Sequence, residues 1–403
     1  MSRDVYPFSA EERLLLEAVA CGVRAVGGAA TSCAPRNVAL PELSAVDPAR
    51  LVRLAALHGV VGLAEEGARA GASLPDDAVA GLHELRHEQT ARSVRLASEL
   101  IRVLGLLETA GLQAVPIKGP VFARRVFGSI GRRSCWDLDL LLGRDDVLAA
   151  KEVLLSQGYV PESVWSARRE RRELRRNCEY NFDHPESGIH VELHWRFMER
   201  SVGFDLPVAD VWDHLEQTTF LGRQMRVPAM EDECLALIVH NGAKHGWQRL
   251  RMIADVAVIA AVDPTTTAGL PERAEAAGVR RVVATGVLLS STLLGAQMPE
   301  LGQWAEADRS AVRLAEYYTG ELFRFSLDTT RDGLPDTRAY LAMRERMIDK
   351  LRYLPRLARA ILAPTDREQA IMPLPAGLRG IHFIVRPFRL AWKYLSRLLV
   401  RRR

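Results

Sequence analysis

Apolar residues recur at helical spacing through the first hundred or so positions and again through the second half, with alternating strand patterns confined between them. Ser9-Ala-Glu-Glu12 reads as a capping box ahead of Leu14, Leu15, Leu16 and Val19. Asp47-Pro48 starts a second helix through Leu51, Leu54 and Leu57, with proline in the favoured first position. A long third helix is expected from near Pro75 past Leu100, with Gly111 as its stop. From Gln113 the pattern changes. It predicts a buried strand over 114–117, a helix over 120–127, a strand over 136–142 and a helix over 145–157 ended by Gly158. Segments 178–183 and 189–197 alternate with period two and read as a hairpin joined by Pro185-Glu-Ser-Gly188. From Glu233 the chain is helical again past Tyr340, with 264–269 and 330–336 as connections. The expected class is α+β, a small mixed sheet between helical regions, divided as 1–111, 112–230, 231–362 and a tail 363–403.

Composition narrows the picture. The chain has 403 residues, room for two or three domains, with 48% hydrophobic and 26% charged residues. A net charge of +4 is too small to mark a nucleic-acid binder, and no stable nucleic-acid partner is expected. Met-Ser-Arg-Asp-Val-Tyr lacks the apolar segment of a secretory leader, and no apolar run is long enough for a bilayer. The five cysteines are scattered without a CxxC pair, so reduced thiols in a cytoplasm are expected. Cys135 reads as a small buried residue rather than a nucleophile. The tail from Ile381 mixes Phe383, Phe388, Trp392 and Tyr394 with arginines and lysine. It reads either as an end packed on the domain or as a weak contact with a membrane surface. Arg168, Arg169, Arg171, Arg172, Arg175 and Arg176 form a basic run whose default reading is a solvated, salt-bridged helix.

The chemistry concentrates in two strands. In Trp136-Asp-Leu-Asp-Leu140, Asp137 and Asp139 share one face and the apolar residues the other. Paired carboxylates on an apolar strand suit Mg²⁺ or Mn²⁺. In the strand 189–197, Glu192 lies on the face of His190, His194 and Arg196. The expectation is that Asp137, Asp139 and Glu192 converge on one metal centre. The alternative is an exposed strand face, with Asp137 paired to an arginine. Lys118-Gly119, between a strand and a helix, is a candidate phosphate turn: glycine lets backbone N–H groups approach an anion, and the lysine adds charge. Arg132 and Arg133 precede the carboxylate strand and either reach triphosphate oxygens or lie in a solvated loop. His240 and Lys244 share a helical face, and Lys244 or His245 could reach a nucleotide or acceptor; interface packing around Trp247 is the alternative. His194 is a candidate to orient Glu192.

The run IKGPVFARRVFG, then R-x-x-x-DLDLLL, then VELHWRF, resembles the uncharacterised nucleotidyltransferase family of the polymerase-beta-type superfamily. The resemblance extends to His240-Asn-Gly-Ala-Lys-His-Gly-Trp247, Leu250 and Asp255, and to Leu374, Pro375 and Arg386-Pro-Phe-Arg-Leu390. It departs in having Glu192 where Asp is common and Cys135-Trp136 ahead of the pair. It implies a nucleotidyltransferase core flanked by helices and two Mg²⁺ ions (Mn²⁺ as substitute) on Asp137, Asp139 and Glu192. It also implies Lys118 and the Gly119 amide on phosphate, and transfer of an NMP from an NTP to an unidentified small-molecule, sugar or peptide hydroxyl. The runner-up is a nucleotide-binding regulator of the same fold with weak catalysis.

Overall fold

The computed structural model describes residues 6–28, 41–199, 209–324 and 337–362, with Val202, Phe204 and Leu206. The basic tail and the connection expected at 330–336 lie outside the described residues. Four helices open the chain: α1 (Ala10–Val26), α2 (Pro48–His58), α3 (Val61–Arg69) and α4 (Asp76–Thr109). The capping box at Ser9 and Glu12 forms as expected, and Asp47 caps α2 through the Arg50 N–H. Helix α3 is an addition to the expected set. Its glycines are contact points. A Cβ on Gly67 would sit 1.8 Å from the Ala18 carbonyl oxygen, and one on Gly22 of α1 2.0 Å from that of Leu63. Glycine lets α1 and α3 touch backbone to backbone.

The central segment runs β1 (Ala114–Ile117), α5 (Gly119–Phe127), β2 (Asp137–Leu142), α6 (Val147–Ser156), β3 (Val160–Pro161), α7 (Ala167–Arg176), β4 (Glu179–Asp183) and β5 (His190–His194). Its five-stranded sheet has the order β1-β2-β5-β4-β3. Only β2 and β5 are parallel; the other neighbours are antiparallel, so the sheet is mixed as expected. One face is apolar. Leu138, Leu140, Leu142, Val191 and Leu193 bury against α4 and α6. Helix α7 carries the arginine run: Leu174 and Glu170 face inward, Glu170 taking Lys151 at 2.8 Å, and all six arginines are exposed.

Next come α8 (Ala209–Asp213) and a hairpin of β6 (Glu216–Phe220) and β7 (Arg223–Val227), which the sequence reading left unassigned. Helices α9 (Met230–Val239) and α10 (Leu250–Val262) are joined through a π-helical turn over His240–Lys244. Then follow α11 (Pro264–Ala268), α12 (Leu270–Ala277), α13 (Arg280–Leu294), α14 (Pro299–Glu306), α15 (Arg309–Glu321), α16 (Thr337–Ala342) and α17 (Met347–Leu362). Residues 264–268, expected as a plain connection, form a short helix capped by Asp263. Helices from both ends of the chain share one apolar core, in which Leu15, Val19, Ile253, Val287 and Leu314 belong to a single cluster. His58 stitches the two groups together, its Nδ1 accepting the Leu250 N–H at 3.1 Å. Burial and the nearby Arg249 hold that ring neutral, with a pKa lowered to about 3. Trp247, at φ +54, fills a slot walled by Gly242 and Gly286.

Candidate active site

The second face of the sheet carries the polar groups, and strand register decides which of them meet. Asp139 lies directly opposite Glu192 across the parallel β2–β5 pair, and Glu192 lies opposite Asn181 across the β5–β4 pair. One step along, Leu141 faces His194 and His194 faces Glu179; at the near end Asp137 faces His190. A single row thus runs Asp139, Glu192, Asn181, flanked by Asp137 at the open end of the sheet.

Two cations from the chain compensate the acids. Lys118 Nζ is 3.3 Å from Asp139 Oδ1. His194, fully buried, places Nε2 2.9 Å from Asp139 Oδ1 and 3.0 Å from Glu192 Oε2. Burial alone would lower the His194 pKa, but the hydrogen bonds to Asp139, Cys178 and Glu192 outweigh it and raise it well above the ordinary imidazole range. Its Nδ1 is buried and lies 3.7 Å from Glu179. Glu192 is held low: its burial is outweighed by His190 and His194. Burial also works against Asp139, yet Lys118 and His194 leave it below the usual carboxylate range. Asp137 goes the other way. Burial and then the negative charges of Asp139 and Glu192 push it up to about 6, against the pull of Lys118 and Arg251. Crowded carboxylates cannot all ionise freely in a dry site, and Asp137 absorbs the conflict.

This donor set suits a hard divalent cation. Asp139, Glu192 and His194 each offer an atom within 4.8 Å of the others. Lys118 and His194 both use Asp139 Oδ1, so Oδ2 and the Asp137 carboxylate accept from no described residue and remain for a metal. Cys178, Glu179 and His194 form an adjoining cluster.

The Lys118-Gly119 turn sits beside these acids, at the end of β1 and the start of α5. Lys118 adopts φ 57, ψ −140 and Gly119 φ +56, so a non-glycine residue is held in a costly conformation. Glu233 of α9 stabilises it, accepting the Lys118 backbone N–H at 2.7 Å through Oε1 and Arg125 at 3.0 Å through Oε2. Burial lifts the Glu233 carboxyl to about 7, opposed by Arg125.

The π-helical turn alters the expected geometry of the next element. An α-helix would stack His240 on Lys244; the wider turn pairs His240 with His245 instead, ring centroids 4.6 Å apart. Both rings are kept neutral by burial, His245 at about 3 with Lys244 adding to the effect. Lys244 reaches both oxygens of Glu179 at 3.2 Å. The structure therefore gathers Asp137, Asp139, Glu192, Lys118, Gly119, His194, Lys244, His240 and His245 around one end of the sheet.

Arg132 and Arg133 are each held by a carboxylate from a helix. Arg132 grips Glu66 through two bonds of 3.1 and 3.0 Å, and Arg133 grips Asp255 at 2.8 and 3.0 Å with both groups buried. Both guanidiniums are engaged by these carboxylates and tie the loop before β2 to surrounding helices. Glu233 and Arg251 escaped the sequence reading, which placed His190 on the Glu192 face without giving it a role. Arg251, in the first turn of α10, feels both Asp137 and Arg133, and burial followed by Arg133 lowers its pKa. Only an acid three residues into a new helix hinted at Glu233, and nothing local marked Arg251.

A family model described as uncharacterised nucleotidyltransferase matches residues 44–295, and the chain belongs to that family. No curated protein and no solved structure matches it. No helix among the described residues is long and apolar enough to cross a membrane.

Proposed function

From that family membership we propose that the chain is a divalent-cation-dependent nucleotidyltransferase. It moves an NMP from an NTP to a hydroxyl-bearing small molecule, sugar or peptide and releases pyrophosphate. One observation carries the reading: Asp139 and Glu192 face each other across parallel strands, with Asp137 on the same side and the Lys118-Gly119 turn alongside. Asp137, Asp139 and Glu192 would hold two Mg²⁺ or Mn²⁺ ions. When bound, such ions lower the pKa of an acceptor hydroxyl and neutralise triphosphate charge.

The chain's own groups do the rest. The Gly119 amide at the start of α5 and the Lys118 ammonium take phosphate oxygens, Lys118 leaving Asp139 to do so. Arg251 adds a second cation beside Asp137. His190 and His194 fix the Glu192 carboxylate, which compensates for its longer side chain. The acceptor oxygen bonds to the α-phosphorus as the bond to the β-phosphate oxygen breaks in line, and positioning supplies much of the rate. The hydroxyl proton is released to solvent as the new bond forms.

The test is incubation with labelled NTPs, Mg²⁺ or Mn²⁺ and a metabolite extract. Wild type should label a product and release pyrophosphate, and Asp139→Asn should lose on the order of a thousandfold. Equal labelling by both proteins sinks the proposal. The self-compensation of the acids by Lys118 and His194 favours a second reading, a nucleotide-binding regulator. That reading requires tight NTP binding with no pyrophosphate release in the same assay.

A further inference from the structure

We propose that a cavity beside Trp136 seats the base of the donor nucleotide. The inference rests on the nucleotidyltransferase reading and adds to it a binding subsite outside the carboxylate cluster. The cavity measures about 270 Å³ and is lined by Arg92, Arg95 and Leu96 of α4, by Trp136, and by Gly188 and Ile189 of the β4–β5 turn. That is slightly under the range of about 300–1,000 Å³ for pockets that enclose a whole small ligand, so it suits one ring system rather than an entire nucleotide.

Its chemistry is aromatic and cationic. Trp136 is 59% exposed, and the Arg92 guanidinium lies over its ring, 4.0 Å from the centroid. An indole left this open is a large apolar face without a partner of its own size, and a planar guanidinium is a poor substitute for one. No carboxylate lines the cavity. A base sliding onto the indole would gain stacking area, and Arg92 and Arg95 would remain at hand for the ribose-phosphate.

The position matches as well. Trp136 immediately precedes Asp137, and Ile189 immediately precedes His190, the residue opposite Asp137 in the parallel register. The cavity therefore opens at the same end of the sheet as the carboxylates. The Trp136 side chain meets Arg92 of α4, whereas the Asp137 carboxylate feels Lys118 on the other side of the strand. A nucleotide would bend around the strand end, phosphates on one side and base on the other.

Charge argues against a cavity on the Glu192 side of the sheet. A second cavity, about 200 Å³, lies beyond Glu192 and presents Glu162, Glu179 and Glu199 with Trp165 and Asn181. Its carboxylates repel a triphosphate. Loop anchoring fixes the first cavity: Gln89 of α4 donates to the Gly131 carbonyl oxygen and accepts from Ser134 Oγ at 2.8 Å, which sets the α4 arginines against Trp136.

The test is calorimetry on the full chain with Mg²⁺, using the tightest binder of ATP, CTP, GTP and UTP and, separately, inorganic tripolyphosphate. Trp136→Ala should weaken the NTP about tenfold, the loss of one stacked base, and leave tripolyphosphate unchanged. Trp136→Phe should keep most of the affinity. Undiminished NTP binding by Trp136→Ala overturns the inference, and so does an equal loss for tripolyphosphate, which would make Trp136 structural. If wild type binds neither ligand, the nucleotidyltransferase reading itself has failed.

Discussion

On one side of β2, Leu138, Leu140 and Leu142 are buried against α4 and α6; on the other, Asp137 and Asp139 crowd Glu192 beneath Lys118 and His194. The two faces belong to the same six-residue strand. The leucine face lowers the free energy of the fold and carries no chemistry. The aspartate face holds like charges together in a dry place, which the surrounding fold must tolerate. Stability and reactivity are thus separated by the simple alternation of a strand, one residue to each side.

Substitutions on the two faces should therefore move different measurements. The largest effect is expected from Asp139→Asn, a loss of transfer on the order of a thousandfold with the fold retained by circular dichroism. Leu140→Ala should cost about 2–5 kcal/mol in urea denaturation, through lost burial and the cavity left behind, while the surviving folded fraction keeps its turnover. A fall in turnover per folded molecule would show that the faces are not independent.

His58 extends the contrast to a buried group away from the sheet, kept neutral where the acids are kept charged. Its folded pKa of about 3 lies below the unfolded value, so the unfolded chain takes up the proton first. The contribution is whole above the unfolded pKa of about 6.5 and drains away as pH falls towards 3, reaching about 2 kcal/mol of loss at pH 5. His58→Gln should flatten the decline between pH 7 and pH 5 by that amount; an unchanged slope contradicts the assignment. The smallest effect is a gain. Asp137→Asn removes a carboxylate that its neighbours hold near 6, so above that pH, without added metal, the variant should be slightly more stable and inactive. A destabilised variant would mean that Asp137 is favourably partnered.

What could be read in advance followed from periodicity. The strict alternation of 189–197 placed Glu192 and His194 on one face, and DLDLLL placed the aspartates, because a strand leaves no freedom in which side a residue takes. The helices with caps were equally plain. Helix α3 was hidden because Gly62 and Gly67, chosen for a close approach to other backbone, look like breakers. The β6–β7 hairpin was hidden because Glu216-Gln-Thr-Thr and Arg223-Gln-Met-Arg are largely polar and its turn places Leu221 at φ 49, where a glycine or asparagine would be the usual signal. Arg251 and Glu233 could not be found locally. Their roles arise from contacts made across more than a hundred residues, as in the 115-residue span from Lys118 to Glu233. Arg132 and Arg133 show the converse: proximity to the acids in sequence gave way to Glu66 and Asp255 in space.

The brace from Glu233 to the Lys118 amide has a further consequence for how the protein becomes competent. During synthesis, the sheet and the start of α5 emerge well before the residue that locks their junction. A nascent chain would hold all three acids yet lack a rigid anion cradle until α9 leaves the ribosome and docks. The Lys118-Gly119 turn would then set only once α9 docks against a sheet that was already made.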